Sequence, residues 1–292
     1  MGDFSAQRSQ QVRKRLDELL PESNFGVSSV HEAMRYACLG EGKMVRPILC
    51  LLVHEAAGNP NPALCLDAAC AVEMVHCSSL ILDDLPSMDD AKLRRGQNTT
   101  HRQYGVDTAI LASVGLLNLA FKVVASCKEG SADSRLQIIT ILNSAIGSDG
   151  LIAGQEIDLA LFKDSEPTTD IDTVNWLKTG ILFASAAEIG SVAAGAAPEV
   201  RRSVHRFAGH IGGAFQTIDD LIDKTESVAI TGKDANKDDG KTTLVRSTGV
   251  NQSKLAARRQ IEQAFEELSK CNMDSTAIEA YVGKMFSRYI DD

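Results

Sequence analysis

The stretch LDAACAVEMVHCSSLIL, Leu66 to Leu82, is apolar around most of its circumference when wound at about 3.6 residues per turn. A helix of that kind cannot lie on a wet surface; it needs other helices on several sides. The rest of the chain supplies them. Apolar residues recur at three- and four-residue spacing in Val12 to Leu20, Val45 to Ala57, Ala63 to Leu82, Thr108 to Ser126, Leu136 to Ala153, Val174 to Ala197, Val200 to Ile222 and Ser253 to Leu268. Short breaks rich in Gly, Pro, Asn or Asp separate them, such as GNPNP, KEGSAD, KDSEPTTD and GKDANKDDGK. No segment alternates apolar and polar residues as a half-buried strand does, and no Asn-Gly or Asp-Gly pair joins two apolar runs as a hairpin. No low-complexity linker divides the chain. The expectation is an all-α fold in one domain spanning residues 1–292. ASAAEIGSVAAGAA, Ala184 to Ala197, is rich in small residues, which suits close helix packing or a subunit interface.

Charge and cysteine usage narrow the function classes. The chain carries 39 acidic and 30 basic residues, a net charge of -9, which argues against non-specific nucleic-acid binding. An anionic substrate would need a local basic patch or a metal ion. The seven cysteines are scattered and form no C-x-x-C pair, so neither a disulfide frame nor a zinc site is expected, and a reducing, cytoplasmic setting is. The start of the chain reads as an amphipathic helix and not a signal peptide. The apolar runs read as short of a membrane span.

Two acidic clusters end long apolar helices. In FQTIDDLIDKTES, Asp219 and Asp223 lie about 40° apart on a helix, so both carboxylates leave one face a turn apart. In DDLPSMDD, Asp83 and Asp89 would point about 120° apart on an unbroken helix. Pro86 prevents that helix from continuing undisturbed, and a kink or bulge there can return Asp89 to the side of Asp83. Either cluster alone reads as a solvated helix terminus, but carboxylates at a helix C-terminus oppose the macrodipole and so call for a compensating cation or another reason to be there. Mg²⁺ suits such groups, because it is held by one or two carboxylates with substrate phosphates completing its shell. Bases occur in separate stretches, each alone readable as a surface base: Lys43 and Arg46 in GEGKMVRP, Arg94 and Arg95 after the first acidic cluster, Lys178 in WLKTG, Lys233 and Lys241 in GKDANKDDGK. Arginine forks and lysine point charges are the side chains that neutralise diphosphate.

DDLPSMDDAKLRRG and FQTIDDLID resemble the two aspartate-rich motifs of trans-isoprenyl diphosphate synthases. GKMVRP, MVHCSSLILDD, LKTG and GKDANKDDGKTTL resemble further family signatures in the expected order, so the likeness runs from about Gly42 to Leu244. The four-residue insert between the first aspartates is most similar to bacterial geranylgeranyl diphosphate synthases of carotenoid pathways. The resemblance implies the type I isoprenoid synthase fold, an antiparallel helical bundle around a large central cavity, commonly as a homodimer. It implies roughly three Mg²⁺ ions per site, replaceable by Mn²⁺. Asp83, Asp84 and Asp89 would hold metal on one side of the allylic diphosphate, and Asp219, Asp220 and Asp223 on the other. Lys43, Arg46, His76 and Arg95 would hold isopentenyl diphosphate. Arg94, Lys178, Thr179, Gln216, Lys233 and Lys241 would hold the allylic diphosphate. Leu82, Met44 and Val114 depart from common family forms.

The implied activity is head-to-tail condensation of isopentenyl diphosphate onto dimethylallyl, geranyl or farnesyl diphosphate. A C15 or longer product, or a non-catalytic subunit of a heteromeric synthase, are the alternatives. A terpene cyclase fits poorly, because DDLID is followed by Lys224. On the helix before Asp83, Ser79 and Ser78 lie about 6 and 7.5 Å down the expected path of the growing chain. Neither is bulky, which points beyond C15 and toward C20.

Overall fold

The computed structural model describes residues 4–23, 28–58, 60–161, 171–225 and 249–290. The helices in chain order are α1 Phe4–Leu19, α2 Ser28–Leu39, α3 Val45–Ala56, α4 Pro62–Asp83, α5 Thr100–Tyr104, α6 Val106–Ser126, α7 Ala132–Ile146, α8 Leu151–Leu161, α9 Ile171–Asn175, α10 Ile181–Ala193, α11 Pro198–Thr225, α12 Val250–Ser269 and α13 Thr276–Ile290. A π-helical turn, Trp176–Gly180, joins α9 to α10. Among the described residues the only strands are β1 Leu93–Arg94 and β2 Gln97–Asn98, an antiparallel hairpin.

The all-α expectation holds, and α4 takes the place its composition demands. Pro62 opens it at a position where a missing N–H costs nothing. It packs against α6, α3 and α10, while α10 lies between α3 and α11, and α11 runs along α12. Apolar residues from Val12 in α1 to Phe286 in α13 join one buried cluster. The small residues Ala184, Ser185, Ala186 and Gly190 are buried, so this part of the stretch serves packing inside the chain, while Gly195 and Ala197 at its end are exposed.

Several local expectations need correction. Leu136 to Ala153 is not one helix; α7 stops at Ile146, and a turn through Gly147 and Gly150 starts α8. The sequence pattern did not pick out α2 or α13, whose apolar faces are narrow. Nor did it show a hairpin, yet β1 and β2 pair through Arg95-Gly96, both at positive φ (53° and 76°). That is the backbone a two-residue hairpin turn requires. Apolar length was also underestimated: Pro62–Asp83 and Val106–Ser126 are long and apolar enough to cross a membrane, as is Ala132–Ala160 taken as one stretch, although the turn through Gly147 and Gly150 divides it into α7 and α8. For Pro62–Asp83, 78% of the apolar window is buried inside the fold, so its apolar surface is spent on neighbouring helices.

Candidate active site

Helix α4 does not kink at Pro86; it ends at Asp83, and residues 84–90 fold into a compact turn. The Asp89 amide donates to the Asp83 carbonyl at 2.9 Å, and the Asp90 amide donates to the Leu85 carbonyl at 3.0 Å. The six-residue return brings Asp89 back to Asp83 by closing the backbone, where the sequence suggested a bulge. Asp90 sits at φ 46°, a left-handed conformation that Asp tolerates better than most residues. Its place in this turn is the account the sequence lacked.

The two neighbouring aspartates have different surroundings. Burial pushes the Asp83 carboxyl up to about 6, opposed by the positive charges of Lys178 and Arg94. Asp84 is 2% exposed, and both of its oxygens accept from Arg94, at 2.7 to 3.0 Å. Burial raises Asp84 as well, with Arg94 pulling the other way. Adjacent in sequence, Arg94 and Arg95 diverge because Arg94 ends β1 while Arg95 is the first residue of the hairpin turn, at positive φ. Arg94 faces Asp84, while the Arg95 guanidinium lies against Gly42, where a Cβ would come within 2.5 Å of its Nη1.

The π-helical turn presents Lys178 and Thr179. It fits against α11 because Gly212 has no side chain; a Cβ there would meet the Gly180 Cα at 2.8 Å. Such turns are frequent at functional sites. Lys178 Nζ donates to Asp158 Oδ2 at 2.6 Å and lies close enough to Asp83 to stabilise its charge. Thr179 Oγ1 donates to Gln216 Oε1 at 2.7 Å, and Gln216 Nε2 donates to Asp220 Oδ1 at 2.9 Å. This relay links the π turn to the second acidic cluster on α11.

Of the bases assigned to isopentenyl diphosphate, Arg46, His76 and Arg95 form a second group. Arg46 lies in the first turn of α3, buried, with its guanidinium 4.5 Å from the centroid of the Phe183 ring. Its Nη1 is 3.3 Å from His76 Nε2. Burial pulls Arg46 down to about 10, against the attraction of Glu73 and Asp219. Burial and three nearby arginines push His76 well below its ordinary value, so it is a neutral imidazole. Its Nε2 can then accept from Arg46. Arg46 Nε is buried without a hydrogen-bond partner. Lys43 is exposed and lies before α3, not on a helix face with Arg46; Met44 at φ 50° separates them. Met44, Asp90 and Arg95 are the non-glycine residues at positive φ among the described residues, and all three border this site. Backbone strain of this kind gathers where surrounding structure enforces it for function.

Asp219 and Asp220 are partly buried on α11. The side chain of Asp223, and all of Lys233 and Lys241, lie outside what the structure describes. Ser78 is 1% exposed and faces α6, its Oγ 2.8 Å from Ser113 Oγ. Ser79 is half-buried, with its hydroxyl donating to the His76 carbonyl at 2.9 Å. Sequence reasoning missed Asp158 and Glu73. Each is a buried acid on a largely apolar helix, which is the signal that a cation must lie opposite.

The donor set suits a hard cation, because Asp83, Asp89, Asp219 and Asp220 offer only oxygen. Among the described residues no three acid, histidine or thiol side chains converge into a cage. Phosphate and water oxygens would therefore have to complete a metal's shell.

The same architecture occurs in solved structures. One is an FPP/GFPP synthase from Zymomonas mobilis, at TM-score 0.85 and 32% identity, covering 99% of this chain and 98% of that one. Another is a geranyltransferase from Helicobacter pylori, solved with magnesium and isoprenyl diphosphate, at TM-score 0.86 and 25% identity over 97% of each chain. The fold is thus the helical type I isoprenoid synthase fold. The family model for polyprenyl synthetase matches residues 27–282, and the chain belongs to that family. A geranylgeranyl diphosphate synthase from Pseudescherichia vulneris is 40% identical over 287 residues, 97% of this chain and 91% of that protein.

Proposed function

We propose that this chain is a Mg²⁺-dependent geranylgeranyl diphosphate synthase. The observation that carries the reading is the pairing of two acidic clusters with two separate groups of bases. Lys178, held by Asp158, stands by Asp83, and Arg46 feels the charge of Asp219. Two diphosphates need two such groups.

The allylic C1–O bond breaks, and its electron pair leaves with diphosphate. Asp83, Asp89 and Asp219 would hold Mg²⁺, which would neutralise that leaving group's charge. Lys178 adds a fixed positive charge on the same side. Arg46 and Arg95 hold isopentenyl diphosphate so that its terminal carbon faces the allylic cation. The C4–C1' bond forms, a C2 proton passes to a diphosphate oxygen, and the double bond moves. Thr179 spends its only proton on Gln216, so lone pairs are what its oxygen has left for the cation. Buried apolar helices exclude the water that would quench the cation.

Purified protein given Mg²⁺, isopentenyl diphosphate and each of the C5, C10 and C15 allylic diphosphates should yield a C20 diphosphate. No elongation from any primer rejects the activity, and termination at C15 rejects the product length. We further propose a cytoplasmic homodimer. The seven cysteines are all unpaired thiols, as a reducing compartment allows. Ile110, Leu111 and Val114 form an exposed apolar face on α6, with Leu111 and Val114 each 58% exposed. Val114 therefore extends an outward apolar face. Light scattering should find a dimer, and the double variant Leu111→Glu, Val114→Glu should be monomeric; a wild-type monomer would reject this.

A further inference from the structure

We propose that Arg13, on the N-terminal helix, is a positioning residue for the pocket of the homoallylic diphosphate. The inference rests on the reading that Lys43, Arg46, His76 and Arg95 hold that diphosphate. Helix α1 makes a firm base. Val12 and Leu16 are fully buried, Arg15 donates to Asp67 at 2.7 Å, and Arg8 pairs with Glu55 of α3. From this base Arg13 reaches across to the end of α2. Its Nη1 donates to the carbonyls of Leu39 at 3.1 Å and Gly40 at 2.7 Å, and its Nη2 donates to the Gly42 carbonyl at 2.8 Å. The carbonyls at a helix C-terminus have no partner within the helix, and a cation there matches the helix dipole.

Gly42 is therefore held from two sides by arginines. Arg13 binds its carbonyl, and the Arg95 guanidinium occupies the space a side chain would fill, its Nη1, Cζ and Nη2 2.5, 2.9 and 3.4 Å from the Cβ position. The next residue is Lys43, followed by Met44 in its left-handed conformation and Arg46 in the first turn of α3. Releasing the Gly42 carbonyl thus frees the loop that carries Lys43 and supports Arg95. Glu73, buried on α4 three residues before His76, lies within electrostatic reach of Arg13, Arg46 and Arg95. One carboxylate among three guanidinium groups leaves positive charge in excess, as an anionic ligand requires. The Asp83, Lys178 and Thr179 side of the site has no hydrogen bond to Arg13. The loss should consequently fall on one substrate.

The test compares Arg13→Gln, Arg13→Lys and Arg95→Gln in steady-state assays that vary each substrate in turn. A displacement near 1 Å can cost up to about a hundredfold. Arg13→Gln should raise KM for isopentenyl diphosphate about tenfold, with KM for farnesyl diphosphate within about twofold of wild type. Arg13→Lys should recover part of that loss, because an ammonium carries the charge but not the fork. Should Arg13→Gln fail to fold, the same selective rise in Arg13→Lys carries the test. Equal rises in both KM values, or no rise beside a clear rise in Arg95→Gln, would overturn the role of Arg13. No rise in Arg95→Gln would instead overturn the underlying assignment of the diphosphate pocket.

Discussion

Asp83→Ala should lower turnover by about three orders of magnitude or more, while the metal-free protein keeps or slightly raises its melting temperature. The expected loss follows from the place of this carboxylate. It ends α4 beside Asp89 and faces the charge of Lys178, where the leaving diphosphate would be neutralised. Removing one charge-stabilising group at the reacting centre commonly costs about 100- to 1000-fold, and a lost metal ligand costs more. Stability should not fall, because the turn that returns Asp89 is closed by the Asp83 carbonyl and not by its side chain. Burial raises the Asp83 carboxyl from 3.8 to about 6. Between those values the folded form binds more protons than the unfolded form, so the group makes stability decline as pH rises through that window. Above about 6 the penalty is complete, and alanine abolishes it. Turnover with radiolabelled isopentenyl diphosphate and thermal melts without metal at pH 4 and 7.5 measure both effects. Unchanged turnover would remove Asp83 from the metal site.

Ser79→Phe should move the main product from C20 to C15, whereas Ser78→Phe should chiefly destabilise the fold. The two serines are neighbours in sequence and differ by about 100° on α4. Ser79 lies one turn before Asp83, about 40° round the helix, so it shares the face from which the growing chain descends. A phenyl ring there would meet the tail within about 6 Å of the diphosphate end. Ser78 points elsewhere: it is buried against α6, and the Ser78 and Ser113 hydroxyls each donate to the other residue's carbonyl, at 3.1 and 3.2 Å. A ring forced into that contact overpacks it, at a cost of about 1–3 kcal/mol. Chromatography of the dephosphorylated products, with melting curves for both variants, separates the outcomes. A C20 product from a well-folded Ser79→Phe enzyme would remove Ser79 from the wall of the cavity.

The helices were legible wherever the apolar stripe was broad. Leu66 to Leu82 could only be central, and α4 is. They were not legible where the stripe was narrow, as in α2 and α13, or where glycines interrupted a continuing pattern, as at Gly147 and Gly150. The acidic clusters were legible because spacing along a helix is a local property: Asp219 follows its apolar run at a fixed angle whatever else the chain does. The hairpin turn at Arg95-Gly96 escaped notice because an arginine takes a left-handed conformation only when its surroundings enforce it.

Residue types, their spacing and their order were enough to determine a predominantly helical fold with two carboxylate clusters and several stretches carrying bases. Only the tertiary structure decided which base meets which acid. Asp84 went to Arg94, Lys178 to a carboxylate twenty positions earlier, and Arg13 to three carbonyls 26 to 29 positions away. Helical periodicity arises from each residue's near neighbours along the chain. Ion pairing depends on which helices pack together, and that is settled by burial across the whole core.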